Sequence, residues 1–275
     1  MSKKILIFML ALILSLGLVG CGDNTSEMVL VEAGTTSEEN GGVTVENDFY
    51  IGKYHVTQAE FEEVMGFNPS VFTKERHPNL IGDTANRPVE NVTWYDALMY
   101  ANKLSEREGL DKYYNISNIE YDDDNIDSAT VTEDEEANGY RLPTENEHEY
   151  AARGGKDGEA TIYAGSDILD EVGWYEDNSY EANSEWDGSG GVAGRGTYEG
   201  SGTMPVGEKE ANELGLYDMS GNLFDWTGTI DSDSLDIICG GSWDYHSRSC
   251  KVDYHDLSYR NLGDYGVGFR LTKTK

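Results

Sequence analysis

The chain has 275 residues, with 52 Asp and Glu against 20 Lys and Arg, for a formal charge of −32. That imbalance excludes a nucleic-acid binder working through phosphate contacts, because such a protein needs a basic face. It does not mean disorder, since 18 Tyr, 7 Phe and 5 Trp supply the apolar area for a packed core, and 32 Gly point to a loop-rich globule.

In chain order, Lys3 and Lys4 precede an apolar run from Ile5 to Leu16, followed by Gly17-Leu18-Val19-Gly20-Cys21. A charged start, a short apolar segment and small residues describe a secretory signal over residues 1–20. The run is too short for a comfortable membrane span. Leu18-Val19-Gly20-Cys21 resembles the lipobox of bacterial lipoproteins. That resemblance implies an acylated Cys21, a lipid bilayer as partner, and an exported protein anchored to a bacterial membrane, at the cell surface or at the outer or periplasmic membrane face. Residues 21–27 then form a short tether and residues 28–275 one domain. Two or three acyl chains hold a protein stably, and the negative charge discourages it from lying flat on anionic lipid.

Three helices announce themselves in the same way. Thr57-Gln58-Ala59-Glu60, Thr93-Trp94-Tyr95-Asp96 and Thr144-Glu145-Asn146-Glu147 each place an acid three residues after a Thr cap. The hydroxyl and the acid can then take backbone donors reciprocally. The second helix carries Ala97, Ala101 and Leu104 on one face with Leu98 beside it, and stops near Gly109. Short extended stretches are expected at 49–56, 140–142, 237–243 and 267–272. Residues 120–136 hold nine acids and no base, and residues 157–194 ten acids and no base, so both read as solvated acidic loops. Clustered carboxylates of this kind also suit Ca²⁺. Few helices, many short strands and much irregular chain give an α+β fold.

With the helices placed, the motifs between them become recognisable. The run from Phe49 to Thr57 and the run Pro88-Val89-Glu90-Asn91-Val92-Thr93-Trp94-Tyr95-Asp96-Ala97 are two of them. Gly139-Tyr140-Arg141-Leu142-Pro143-Thr144-Glu145, Asn212-Glu213-Leu214-Gly215-Leu216-Tyr217-Asp218-Met219-Ser220-Gly221-Asn222, Gly240-Gly241-Ser242-Trp243 and Gly268-Phe269-Arg270-Leu271 follow in order. Together they resemble the formylglycine-generating enzyme (sulfatase-modifying factor) family from about Met28 to Leu271. His148 stands where that family has Trp. The resemblance implies a fold related to the C-type lectin fold, and a buried, hydrogen-bonded Arg270, since a buried Arg must be paired.

The family's oxidase holds Cu(I) between two thiolates, three and eight residues after Gly-Gly-Ser; a soft ion needs soft ligands. Here those positions are Tyr245 and Cys250. The resemblance places the oxidase site at Ser242, Tyr245, His246 and Cys250, with the first thiolate missing, so copper is not expected. Cys239 lies six residues before Tyr245, about 20 Å along a strand, and cannot substitute. Cys239 and Cys250 form either a disulfide or two buried thiols. A related iron branch uses three histidines on an added helical domain, which this chain lacks. His55, His77, His148, His246 and His255 show no i, i+4 pair, and His246 and His255 near Asp253 and Asp256 read as surface residues.

The resemblance also implies a Ca²⁺ held by Asp218, Gly221, Leu223 and Asp225, with Asp225 in place of the family's Glu and Phe224 in place of Trp. Two carboxylates with two carbonyls suit a hard cation. Asn178 and Ser179 fall where a second Ca²⁺ site begins. The leading expectation is a membrane-anchored binding or accessory module, with a peptide, protein or carbohydrate ligand in a cleft around Ser242, Trp243, Tyr245 and His246, since Tyr and Trp offer rigid contact area with a polar edge. The alternative is an enzyme, either a formylglycine-generating oxidase or a related oxidative maturation enzyme. The plain expectation for Trp243 is that it packs.

Overall fold

Local capping sets the three expected helices in place. In the computed structural model, which describes residues 27–78, 80, 82–183, 202–232 and 234–275, α1 spans Gln58–Met65, α2 Trp94–Glu108 and α3 Glu145–Ala152. Residues 1–20 and Cys21 lie outside the described residues. Thr57, Thr93 and Thr144 each accept from the backbone N–H three residues on, and Glu60, Asp96 and Glu147 each return the bond, which makes three complete capping boxes. Gly66 and Gly109 end the first two helices with φ of 89° and 73°, the left-handed region where a Cβ is unfavourable.

The strands are short and the ends of the chain meet. β1 (Met28–Val31) pairs antiparallel with β4 (Phe49–Gly52), and β4 with β11 (Thr272–Thr274). β2 (Gly34–Thr35) and β3 (Thr44–Val45) form a small ribbon between them. A four-stranded sheet follows the order β10–β7–β8–β9, built from β7 (Phe224–Ile230), β8 (Leu235–Cys239), β9 (His255–Tyr259) and β10 (Val267–Gly268). β10 runs parallel to β7, and the other neighbours are antiparallel. Two further helices, α4 (Leu169–Val172) and α5 (Glu176–Asn183), precede β7.

Residues 120–133 are not an irregular loop. They belong to a long hairpin, β5 (Tyr114–Asp122) with β6 (Asn125–Glu133), and the exposed residues 134–136 turn away after it. Ile116, Ile119, Ala129 and Val131 pack it onto the main core, while its acids point outward. The stretch 140–142 makes only an isolated bridge, Arg141 to Thr272, and the stretch 49–56 is strand only to Gly52.

The main core lies between α1, α2 and the four-stranded sheet. Phe61 stacks on Tyr100 at 5.5 Å, and both meet Phe269 edge-on. Trp94 and Trp226 are fully buried and each finds a carbonyl, Thr227 O at 2.9 Å and Val92 O at 3.1 Å. Side chains of this size contribute roughly 2–3 kcal/mol each on burial, and the indole N–H costs little once it has a partner. No helix among the described residues is long and apolar enough to cross a membrane.

Candidate functional site

The Gly-Gly-Ser turn leaves the sheet at the end of β8. Gly240 and Gly241 both have left-handed φ, 101° and 79°. A Cβ on Gly241 would lie 2.6 Å from Cys250 Sγ, so the turn closes directly onto that thiol. Ser242 Oγ bonds Asp244 Oδ1, and Trp243 is buried. The Trp243 ring meets Phe72 edge-on at 5.2 Å, and its Nε1 donates to Tyr265 O at 3.0 Å. Ser179 Oγ donates to the Trp243 carbonyl at 2.9 Å. Trp243 is therefore a packing residue.

Tyr245, at the position of the first copper thiolate, sits edge-on to Phe224 with centroids 5.0 Å apart. Its ring packs against the main core, and its carbonyl accepts from Glu176 N at 3.2 Å. Cys250 is fully buried, and burial pushes its thiol up to about 12 despite a bond involving the Ser242 backbone. Burial raises Cys239 as well, reinforced by the carboxylates of Glu145 and Asp225. Both are free thiols, which settles the choice between a disulfide and two buried thiols in favour of the latter. A phenol at the first position leaves Cys250 as a lone sulfur there, which does not fit a two-thiolate Cu(I) site.

His246 is exposed and its Nδ1 pairs with Glu176, while His255 pairs with Glu145 at 2.9 Å. The two do not share a site. Of the four oxidase-site positions, the structure brings Ser242 and Cys250 together around the turn, seats Tyr245 on Phe224, and leaves His246 at the surface. Two grooves lie elsewhere. One of about 330 Å³ runs between α2 and the β5–β6 hairpin, and one of about 240 Å³ between β3 and α3.

The residues expected to hold calcium surround Arg270 instead. Arg270 is fully buried; its Nε donates to Asp225 Oδ2 at 2.7 Å and its terminal nitrogens to the carbonyls of Gly52, Tyr217 and Asp218 at 3.1–3.2 Å. His148 Nε2 meets the same Asp225 Oδ2 at 2.9 Å. His55 Nε2 bonds the Leu223 carbonyl at 3.1 Å and lies 3.5 Å from Asp225 Oδ1. Asp218 Oδ2 accepts from Gly207 N at 2.8 Å. Gly221 takes φ of 92° because its backbone turns against Trp174, and its N–H donates to Gly240 O at 2.7 Å. Buried Asp218 Oδ1 and Asp225 Oδ1 keep no hydrogen-bond partner, but a guanidinium and two imidazoles already face this pocket. That donor set does not fit a hard dication, which wants six to eight converging oxygens and no neighbouring positive charge. Among the described residues no group of three or more His, Cys, Asp or Glu is placed to hold a metal.

The electrostatics follow from burial and from Arg270. Burial alone would raise Asp225, yet Arg270, His55 and His148 together hold it well below the usual carboxylate range. Burial pushes Asp218 up to about 6 against the Gly207 N–H and Arg270. Burial pushes His55 down to about 4 although Asp225 opposes it. Asn178, the expected start of a second calcium site, caps a turn: its Oδ1 accepts from Tyr175 N at 2.8 Å and its Nδ2 donates to Gly173 O at 3.0 Å. Sequence reasoning missed the meeting of His55 with His148. The signal available was the pair of departures, His148 for Trp and Asp225 for the longer Glu.

The comparisons with known proteins agree with this geometry. The model for the sulfatase-modifying factor enzyme 1-like domain matches residues 20–275. The chaperone protein LppX of Paenibacillus barcinonensis is 38% identical over a 295-residue alignment that covers 100% of both chains. The formylglycine-generating enzyme of Mycobacterium tuberculosis is 42% identical over 91 residues, 33% of this chain and 27% of that enzyme. Among solved structures, Treponema denticola variable protein 1 superposes with a TM-score of 0.70 at 28% identity, covering 90% of this chain and 95% of that one. CarF superposes with a TM-score of 0.68 at 25% identity, covering 91% and 99%. A family model matched over nearly the whole chain and a relative 38% identical along its full length show that the chain belongs to the sulfatase-modifying factor, or formylglycine-generating enzyme, family.

Proposed function

We propose that the protein is an exported accessory protein, held to a membrane through acyl chains on Cys21, that binds another polypeptide and carries out no copper-dependent oxidation. The observation that carries this reading is Tyr245 seated on Phe224 at the first thiolate position, which leaves buried Cys250 as a lone sulfur there. An oxidase would need both sulfurs as thiolates within reach of substrate. The full-length relative supports a client-binding role, because that protein is named a chaperone. The domain does not depend on calcium at Asp225, where Arg270 supplies the positive charge.

The test uses the full chain, purified from membranes in detergent. After Cu(I) loading and removal of excess, elemental analysis and oxygen uptake with a cysteine-containing peptide should show neither stoichiometric copper nor turnover. Copper with peptide-dependent oxygen uptake would make the protein an oxidase. Light scattering of a secreted enzyme diluted from urea should fall when the protein is added at equimolar ratio, and an unchanged trace would remove the client-binding role. Cys21→Ser should move the protein from the membrane pellet to the soluble fraction. Excess EDTA should leave the melting temperature within about 2 °C, and a larger fall restored by Ca²⁺ would reinstate the metal, since a ligand bound at 100 times its Kd stabilises by about 2.7 kcal/mol.

A further inference from the structure

β9 is the outer strand of the four-stranded sheet. Its inner edge pairs with β8 in unbroken register from Leu235–Tyr259 to Cys239–His255. No strand pairs with its other edge among the described residues. The Leu257 N–H is turned away from β8 and is taken only by the neighbouring Asp256 Oδ1 at 2.9 Å. The outward N–H and C=O groups of alternate residues therefore form a ready template for another strand.

The side chains match. Exposure alternates along β9, with His255, Leu257 and Tyr259 out and Asp256 and Ser258 turned in. Leu257 is 40% exposed, Tyr259 56%, and Leu262 in the following turn 55%. Their partners across the ladder, Ile237 and Leu235, extend the same face inward. Of the devices that block such pairing, β9 has no Lys, Pro or bulge, and its one inward charge is the half-buried Asp256. The surrounding charge is one-sided. Asp231 and Asp253 are exposed, Asp256 sits on the edge itself, and Glu145 holds His255. The base that follows the strand, Arg260, is committed to buried Asp236 at 2.8 Å.

We infer that β9 is the client-binding edge: it takes an extended segment of another polypeptide as an added antiparallel or parallel strand, and prefers segments in which apolar residues alternate with basic ones. Main-chain bonds to Leu257 supply affinity without sequence demand, Leu257 and Tyr259 take the apolar side chains, and the acids select Lys or Arg. This inference rests on the client-binding reading and names the surface that serves it.

The experiment measures fluorescence anisotropy of labelled octapeptides of alternating Val and Lys, or Val and Glu, with the full chain in detergent at low salt. The Val–Lys peptide should bind at least tenfold tighter than the Val–Glu peptide. Leu257→Pro removes the outward N–H without removing a bond to β8, and should weaken Val–Lys binding tenfold or more. Tyr259→Lys should do the same through charge and lost contact. Tyr121→Lys, at an equally exposed site on the hairpin tip, should leave binding unchanged. Melting temperatures identify any variant that fails to fold; Tyr259→Lys keeps the test alive if Leu257→Pro does. Slowed hydrogen exchange at residues 255–259 of the unaltered protein on peptide addition supports the edge independently. Binding unaffected by either folded variant, absence of peptide binding, or equal affinity for both peptides overturns the inference. Suppression of client aggregation that survives both variants would overturn this edge while the client-binding reading stands.

Discussion

Arg270→Met replaces a fully buried cation by an apolar chain of similar length. The guanidinium makes four hydrogen bonds, one to the Asp225 carboxylate and three to the carbonyls of Gly52, Tyr217 and Asp218. Its removal leaves Asp225, which is fully buried, with His148 and the more distant His55 as its only positively polarised neighbours. Breaking one side of a buried ion pair costs about 3–5 kcal/mol. A domain of this size loses about 2–4 °C per kcal/mol, so the melting temperature should fall by about 6–20 °C. Calorimetry of the full chain is the assay, with urea unfolding as the check on two-state behaviour. Asp225→Asn should cost a similar amount by orphaning Arg270, and the double variant should lose clearly less than the sum, because the second change relieves the first. A loss under 3 °C for Arg270→Met, or strict additivity, would refute the placement of Arg270 as the cation of this interior.

Other outcomes follow from the same geometry. Asp218 has a raised pKa of about 6, so its contribution favours the native state at low pH and turns against it as pH rises from about 4 through 6. Asp218→Asn should therefore be more favourable at pH 7.5 than at pH 4.5 by about 2 kcal/mol, read from urea midpoints at the two pH values; an equal effect would contradict the burial argument. His55, depressed to about 4, acts in the opposite sense: the stability from holding it neutral is complete above about 6.5 and is lost as pH falls toward 4. Glutamine at position 55 should flatten the acid limb of the stability profile. Gly241→Ala places a methyl 2.6 Å from Cys250 Sγ at a φ of 79°, and should cost about 2–4 kcal/mol in a denaturant titration. Cys239 and Cys250 should resist a thiol-reactive chromophore in the native protein and react within minutes in urea without reductant; a deficit of titratable thiols would reveal a disulfide.

What the sequence reveals is what is local. A Thr cap and its acid lie three residues apart, so all three capping boxes could be read from the chain and all three are present. The β5–β6 hairpin was hidden because its acids dominate the composition while its apolar positions, Ile116, Ile119, Ala129 and Val131, are few and interrupted by register shifts. Its turn also lacks a glycine signal: Asp123 takes the left-handed conformation with φ of 52°. The loss of the first copper thiolate is legible at Tyr245, but whether that ring lines a cleft or packs is decided by Phe224, twenty-one positions earlier in the chain. The Arg270 interior is less legible still, since His55, His148, Asp225 and Arg270 come from α1's approach, α3, β7 and the link between β10 and β11.

Those four residues explain why the family's scaffold persists in a chain with so unusual a charge. A net charge of −32 destabilises a compact state by self-repulsion, and a cation built in beside an interior carboxylate relieves it locally. Arg270 does this at Asp225, Arg141 at Glu147 with paired bonds of 2.6 and 2.7 Å, and Arg260 at Asp236. With 52 acids against 20 bases, the exterior is acidic. An acidic exterior repels acidic chains and anionic headgroups, and attracts basic extended segments to whatever backbone lies open. At the edge of β9, with Leu257 and Tyr259 exposed among those acids, that field, exposed apolar side chains and unpaired backbone coincide.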